Sequence, residues 1–285
     1  FIYIINNIFM NKKKILIYTY KILSIFYTFI FGRKKLQSIN HLFFSLTLDA
    51  KGFKNYGSFK KTGEEYLIKL IKDEVNLSLD IGANIGKYSE LILEKTNSDL
   101  YSFEPLPKAY SKLLRLKKKY KNRINCFNYA IGDFNGSQNL YFNNSISEKA
   151  SLIKDLGDLS FVGKSNRNKI KIKVKKLDDI SFLFKNKIDF IKIDTEGYEN
   201  NVLEGGIKLL KKHKPKFIQL EFNWHQLIKN QTLRNLSKLI YFSDVYRILP
   251  NNYGIIKIDP SRPENNIYHL SNYIFINKNI SKKFK

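Results

Sequence analysis

Five acids stand where this sequence could do chemistry: Asp80, Glu104, Asp133, Asp194 and Glu221, each at the carboxyl end of a run that reads as a buried strand. Ligands of open α/β sheets bind along that edge. The first acid opens the stretch Asp80-Ile81-Gly82-Ala83-Asn84-Ile85-Gly86, a strand, a glycine turn and the start of a helix. Gly82 and Gly86 permit a tight turn and a close approach of backbone to ligand. Glu104 follows about twenty residues later in Ser102-Phe103-Glu104-Pro105, the position from which nucleotide-binding α/β folds hold a ribose diol. The glycine spacing is neither that of a dinucleotide fingerprint nor that of a Walker loop. A carboxylate at Asp80 would repel a pyrophosphate and attract an ammonium group. The loop therefore suits a cationic, ribose-bearing ligand such as S-adenosylmethionine (SAM). One acid at a helix start is ordinary capping, but five strand-end acids exceed what capping needs.

The elements that position these acids alternate as in a parallel sheet. Strands are expected at 75–81, 99–104, 124–131, 188–194 and 216–222, with helices at 87–95, 108–120 and 199–212 between them. A capping box at Thr62-Gly63-Glu64-Glu65 is expected to open a helix reaching about Glu74. A helix over 226–242 and late strands at 245–249, 254–258 and 272–277 complete the pattern. The polar stretch 135–168 interrupts it, a candidate substrate-facing insertion before an edge strand at 169–175.

The run Asp80 to Gly86, Phe103-Glu104-Pro105, Ala130-Ile131-Gly132-Asp133, Lys192-Ile193-Asp194-Thr195-Glu196-Gly197 and Leu220-Glu221 resembles the FkbM-type SAM-dependent methyltransferases over roughly residues 60–280. The Asp194-Thr195-Glu196-Gly197 element is the more specific part, since many methyltransferases share the glycine loop. The resemblance implies the class I, Rossmann-like α/β fold of seven strands with the last antiparallel, here carrying an N-terminal helical appendage. It implies SAM as cofactor and methyl transfer to a hydroxyl of a sugar, lipid-linked glycan or secondary metabolite. Carried over, Gly82, Asn84 and Gly86 shape the loop around the methionine portion and Asp80 sits near the SAM amino group. Glu104 accepts the ribose hydroxyls, and Ala130, Ile131 and Asp133 border the adenine. Asp194, Glu196, Glu221 and His225 are the candidates for the catalytic base, with Trp224 either a sugar-stacking or a rim residue. Lys192 is expected to pair with a neighbouring acid, because an unpaired buried lysine is costly. No metal is assigned: Asp194, Glu196 and Glu221 could supply hard oxygen ligands, but nothing in their spacing demands an ion.

Composition narrows the partners. Fifty basic residues against twenty-five acidic ones give a net charge of +25, which attracts polyanions in general. Lysine dominates arginine, and specific phosphate or base readout favours arginine. An RNA methyltransferase is the alternative that the charge motivates. The Asn/Asp-Pro-Pro-aromatic element of amino-directed nucleic-acid methylases and the Pro-Cys nucleophile of C5 methylation are both absent, so nucleic acid is not expected, and the carbohydrate or glycolipid acceptor is the one that the resemblance implies. A third reading is a non-catalytic membrane- or polyanion-binding protein that keeps the fold. The single cysteine, Cys126, excludes a disulfide framework and reads as a small core hydrophobe.

Residues 1–60 lie outside the resemblance, and the methyltransferase domain is expected over 61–285. Met10 reads as a start, which would leave residues 1–9 upstream of it. Lys12-Lys13-Lys14 precede an apolar run, Ile15 to Phe31, closed by Arg33-Lys34-Lys35. Residues 12–35 suit a helix lying in a membrane interface, or equally one packed on the catalytic domain. The expected location is cytoplasmic, at the inner face of the membrane if that helix binds it. Residues 36–60 read as a linker.

Overall fold

The computed structural model describes residues 2–142, 150–153 and 168–284, with side chains from residue 14 onward. These separate into two units, residues 1–50 and residues 51–285. The first holds two helices, α1 (Ile2–Phe31) and α2 (Gln37–Ala50). The linker expected over 36–60 is thus helical in its first part. Ile39, Leu42, Phe43 and Leu46 supply the i, i+3, i+4, i+7 spacing that supports it.

The second unit begins with α3 (Phe59–Thr62) and α4 (Glu64–Ile71), then β1 (Leu77–Ile81), α5 (Lys87–Lys95), β2 (Asp99–Phe103), α6 (Pro107–Leu113), α7 (Arg115–Tyr120) and β3 (Ile124–Phe127). Next come β4 (Ala130–Ile131), β5 (Gly136–Phe142), β6 (Asn168–Lys175) and β7 (Phe190–Ile193). The chain ends with α8 (Glu199–Glu204), α9 (Ile207–His213), β8 (Phe217–Phe222), α10 (Trp224–Ile228), α11 (Leu233–Leu239), β9 (Ser243–Ile248), β10 (Ile255–Ile258) and β11 (Ser271–Asn277). The central sheet has the order β3-β2-β1-β7-β8-β11-β9-β10. β3, β2, β1, β7 and β8 run parallel, and the last strand, β11, lies antiparallel between β8 and β9. The seven strands that the resemblance implies are present, and β10, the strand expected over 254–258, adds an eighth at the edge, antiparallel to β9.

Alternation along the buried strands feeds two apolar layers. Leu77, Leu79 and Ile81 of β1, with Ile191 and Ile193 of β7, pack against Val202, Leu203, Leu209 and Leu210 of α8 and α9. Phe190, Phe217, Ile274 and Ile276 pack on the opposite face against Leu67, Ile68 and Ile71 of α4 and Ile92 of α5. Cys126 is buried in that second layer, where burial pushes its thiol up to about 11. It is an inert core residue, as its neighbours suggested.

Three local expectations are corrected. The capping box at Thr62 does not form: Gly63 turns the chain through φ +81°, and the Thr62 hydroxyl donates to Glu64 Oε2 at 2.7 Å. Glu65 pairs instead with Lys69 at 2.6 Å. The strand expected over 124–131 breaks after Phe127, where the Asn128 amide donates to the carbonyls of Glu104 and Pro105; residues 130–131 join a second sheet, β4-β6-β5. The helix expected over 226–242 splits, because Thr232 caps a new helix with a hydrogen bond from the Asn235 N–H. Within the stretch 135–168, β5 pairs with β6 and Ser151 bridges to Tyr141, while residues 143–149 and 154–167 lie outside the described ones.

Candidate active site

The carboxyl ends of β1, β2, β7 and β8 open onto one cavity of about 1170 Å³, above the roughly 300–1000 Å³ of a single small-molecule site and so roomy enough for a cofactor and part of an acceptor. At its floor the two most informative motifs meet backbone to backbone. Gly82 has φ +85°, and a Cβ there would stand 1.8 Å from the carbonyl oxygen of Asp194. No other residue fits, which explains the glycine on contact grounds as well as conformational ones.

Glu104 is fixed by the glycine loop. The Asn84 N–H donates to its Oε2 at 2.8 Å and the Leu106 N–H to its Oε1 at 2.7 Å. Burial raises its pKa to about 7, against the lowering effect of those two N–H groups, with the fields of Asp80 and Asp194 adding to the rise. Each oxygen keeps a lone pair for a ligand hydroxyl, so the residue suits a vicinal diol. Ala130, Ile131, Leu140 and Leu152 line the cavity with apolar surface, which fits a flat heterocycle.

Of the cofactor-binding residues expected from sequence, Gly82, Asn84, Glu104, Ala130 and Ile131 line this cavity. Gly86 does not line it; it starts α5 and turns the loop. Asp80 is corrected: it is fully buried behind the wall, its Oδ2 accepting from the Ser89 hydroxyl at 2.6 Å while Oδ1 has no hydrogen-bond partner among the described residues. Burial raises its pKa against the opposing charge of Lys192, so it acts on the site through its field. Asp133 is corrected too. It sits beside Tyr198, whose phenol burial and that carboxylate together push up to about 12.

The loop after β7 carries the other acids. Its shape rests on Glu199, whose Oε1 accepts from the Thr195 N–H at 2.9 Å, the Thr195 hydroxyl at 3.0 Å and the Gly197 N–H at 3.2 Å. Glu199 Oε2 accepts from the Gln226 amide of α10 at 2.6 Å. This buried carboxylate, at the start of α8, ties the loop to α10, a structural duty. Glu196 is held at φ +53°, a conformation non-glycine residues rarely adopt. A Cβ on Gly197 would meet His225 Cβ at 2.6 Å.

Asp194, Glu196 and Glu221 converge: one oxygen of each lies within 4.8 Å of the others. Burial, then the charges of Asp194, Glu196 and Glu199, raises the Glu221 pKa far above the ordinary carboxylate range. Three carboxylates so close share either a proton or a hard cation, and all three could ligate a divalent ion. Lys192 lies beneath them with Nζ 2.7 Å from Asp194 Oδ2 and 4.7 Å from the centre of the Tyr88 ring. It therefore has the acidic partner expected of it. Burial opposes its charge, but Asp194, Asp80 and Glu64 outweigh that and raise its pKa.

His225 completes the group. Its Nδ1 is 2.7 Å from Asn223 Oδ1, which also accepts from the His225 backbone N–H, and 3.6 Å from Glu196 Oε2. With acceptors on that side, the neutral ring carries its proton on Nδ1 and leaves Nε2 as an acceptor. Burial lowers its pKa to about 4, only partly offset by Asp194. The Asn223 amide in turn donates to Glu221, so the chain Glu221–Asn223–His225 is continuous. Trp224 stacks on His225 with ring centres 3.7 Å apart.

Sequence reasoning missed Asn223, which caps α10 and sets the histidine tautomer, and Tyr56, from the loop before α3. Tyr56 lines the cavity with its phenol in the field of Glu221 and Glu196. The Asn223–Gln226 capping box was a readable signal. Nothing around Tyr56 in the sequence marks it.

A mostly parallel sheet of this order, a glycine loop that holds Glu104 at the cavity and an apolar recess beside it are the frame of a SAM-dependent methyltransferase. The chain belongs to the FkbM methyltransferase family, whose methyltransferase FkbM domain matches residues 80–254. It is similar to the 2-O-methyltransferase NoeI of Sinorhizobium fredii, at 27% identity over 179 residues that cover 58% of this chain and 70% of that protein. Solved structures similar to it include an rRNA methylase from Streptococcus thermophilus, at 8% identity and a TM-score of 0.40 over 75% of this chain and 93% of that one. Another is the 1,6-didemethyltoxoflavin-N1-methyltransferase of Burkholderia thailandensis bound to 1,6-didemethyltoxoflavin and S-adenosylhomocysteine, at 9% identity and a TM-score of 0.36 over 75% and 78%.

Proposed function

We propose that this methyltransferase acts on oxygen, methylating a sugar hydroxyl in a surface polysaccharide, glycolipid or related metabolite. The observation that carries the reading is the convergence of Asp194, Glu196, Glu221 and His225 beside the glycine loop, an acceptor-rich floor suited to hydroxyl donors. The likeness to a 2-O-methyltransferase supports it. SAM supplies an activated methyl group, so the residues of the chain need only align an acceptor oxygen and remove its proton. In this reading Asp194, held by Lys192, and Glu196 accept hydrogen bonds from acceptor hydroxyls and fix the ring. Neutral His225 accepts at Nε2. Glu221, with the most elevated carboxylate pKa of the group, takes the proton. Asp194, Glu196 and Glu221 would hold a divalent cation if one is used, which would hold Glu221 ionised and lower the acceptor hydroxyl pKa.

The test is production of S-adenosylhomocysteine from SAM with purified oligosaccharide acceptors, for wild type and Asp194→Asn. Turnover in wild type, with loss of turnover and unchanged SAM affinity in the variant, is expected. A variant that turns over as fast as wild type would remove Asp194 from the mechanism, and wild-type turnover with RNA alone would remove the sugar.

A further inference from the structure

The N-terminal unit presents apolar surface that its own two helices leave uncovered. Between Lys14 and Phe31 no residue of α1 is buried, and this window is long and apolar enough to cross a membrane. The exposed side chains face every direction. Ile15, Leu16, Ile17 and Tyr18 are successive positions about 100° apart, and all four are exposed. A protein groove would cover one face of such a helix. A bilayer covers all of them.

The two threonines in the window are already provided for. The Thr19 hydroxyl donates to the Ile15 carbonyl at 2.9 Å and the Thr28 hydroxyl to the Ser24 carbonyl at 2.6 Å, so neither needs water. Lys21 is the sole charge between Lys14 and Arg33, and its stem is long enough to carry the ammonium toward headgroups. Eighteen helical residues extend about 27 Å, against a hydrocarbon layer of about 30 Å. Basic clusters bracket the window at Lys12-Lys13-Lys14 and Arg33-Lys34-Lys35, and no acid occurs before Asp49. That charge pattern complements anionic lipid on either side.

The next helix is built differently. α2 shows Ile39, Leu42, Phe43 and Leu46 exposed along one stripe, with Ser38, His41 and Ser45 on another face and Phe44 exposed away from the stripe. It is joined to the end of α1 by Asn40, whose amide donates to the Phe31 carbonyl at 2.8 Å and whose Oδ1 accepts from the Tyr27 hydroxyl at 2.7 Å. The edge-to-face pair Phe31–Phe43 adds to the joint. An amphipathic helix fixed just beyond a basic turn is suited to the headgroup boundary.

We infer that α1 is embedded in an anionic bilayer, with α2 lying along its surface, so that the methyltransferase is held at a membrane by an inserted helix. This goes past the surface-lying helix expected from the sequence, and it is independent of which acceptor the enzyme uses. The test is flotation of the full chain with vesicles of phosphatidylcholine, alone or mixed with phosphatidylglycerol, followed by high salt and alkaline carbonate washes. The chain is expected to float with both kinds, to favour the mixed one, and to resist both washes. Ile22→Glu/Phe26→Glu/Phe29→Glu in the full chain is expected to lower the floated fraction at least tenfold with SAM affinity unchanged, which shows the catalytic unit intact. The inference is overturned if wild type stays at the bottom, if it floats only on anionic vesicles and salt releases it, if the triple variant floats like wild type, or if the native protein is recovered soluble and cleaved after α1.

Discussion

Replacing Glu104 by glutamine changes one atom of a carboxylate, yet the geometry around it makes the substitution severe. Both oxygens already accept a backbone N–H, from Asn84 at 2.8 Å and Leu106 at 2.7 Å. Whichever way the glutamine amide turns, its NH₂ faces one of those donors. The variant thus loses a charge-assisted pair with the ribose, worth about 1.5–3 kcal/mol, and leaves a buried N–H unpaired at about 1–3 kcal/mol, part of it already felt without ligand. A net loss of about 2–4 kcal/mol corresponds to a roughly 30- to 1000-fold weaker Kd for SAM. The sign of the pH effect follows from the raised pKa of about 7. The ionised carboxylate accepts the two hydroxyls, and below that pH Glu104 holds a proton that binding must displace. Wild-type affinity should therefore fall about tenfold from pH 8 to pH 6, and Glu104→Gln should show no such slope. Titration calorimetry with SAM across that range reads both quantities. A glutamine variant within threefold of wild type, or a wild-type affinity flat from pH 8 to pH 6, would refute the placement of the ribose.

Gly82→Ala should lose SAM binding and at least about 2 kcal/mol of stability, read by denaturant unfolding, because its Cβ meets the Asp194 carbonyl oxygen at 1.8 Å and φ is +85°. Glu199→Ala, which strips the Thr195 and Gly197 N–H groups and the Gln226 amide of their acceptor, should destabilise the fold by about 3 kcal/mol; Glu199→Gln should recover part of it in the same unfolding measurement. Glu221 is ionised only above its raised pKa, so kcat should increase with pH through that region and Glu221→Gln should abolish turnover while sparing SAM affinity. If a divalent ion occupies the three carboxylates, EDTA should abolish turnover and restoring magnesium or manganese should recover it. Turnover indifferent to EDTA would instead assign the neutralising charge to a shared proton.

The strand pattern was legible because β1, β7 and β8 are buried on both faces and their apolar runs are continuous. Strand-end placement then identified Glu104, Asp194 and Glu221 as lining one edge, which only the shared topology of parallel strands guarantees. Asp80 and Asp133 obey the same rule and still miss the cavity. A side chain at a strand end points to one face or the other, and the sequence does not say which side holds the ligand. Asp80 turns toward Ser89, and Asp133 toward Tyr198. Glu199 was equally invisible, since a helix-start glutamate looks the same whether it caps one N–H or organises a whole catalytic loop. The break between α10 and α11 lies at Asn230, which has a left-handed φ of +52°, ahead of the Thr232 cap, and the turn is held from far along the chain by the Tyr268 hydroxyl, which donates to the Gln231 carbonyl at 3.0 Å. Contacts of that range leave no trace in local periodicity.

The central proposal, methylation of a carbohydrate hydroxyl, is tested most directly by transferring labelled methyl from SAM, with the full-length enzyme, into a lysate of cells lacking this gene. The lysate is then separated into polysaccharide, lipid, RNA and protein. Label in polysaccharide or glycolipid, recovered after hydrolysis as a sugar methyl ether, is the expected result. Label confined to RNA would contradict it, and would make the net charge of +25 the better guide to the acceptor than the acid-lined floor of the cavity.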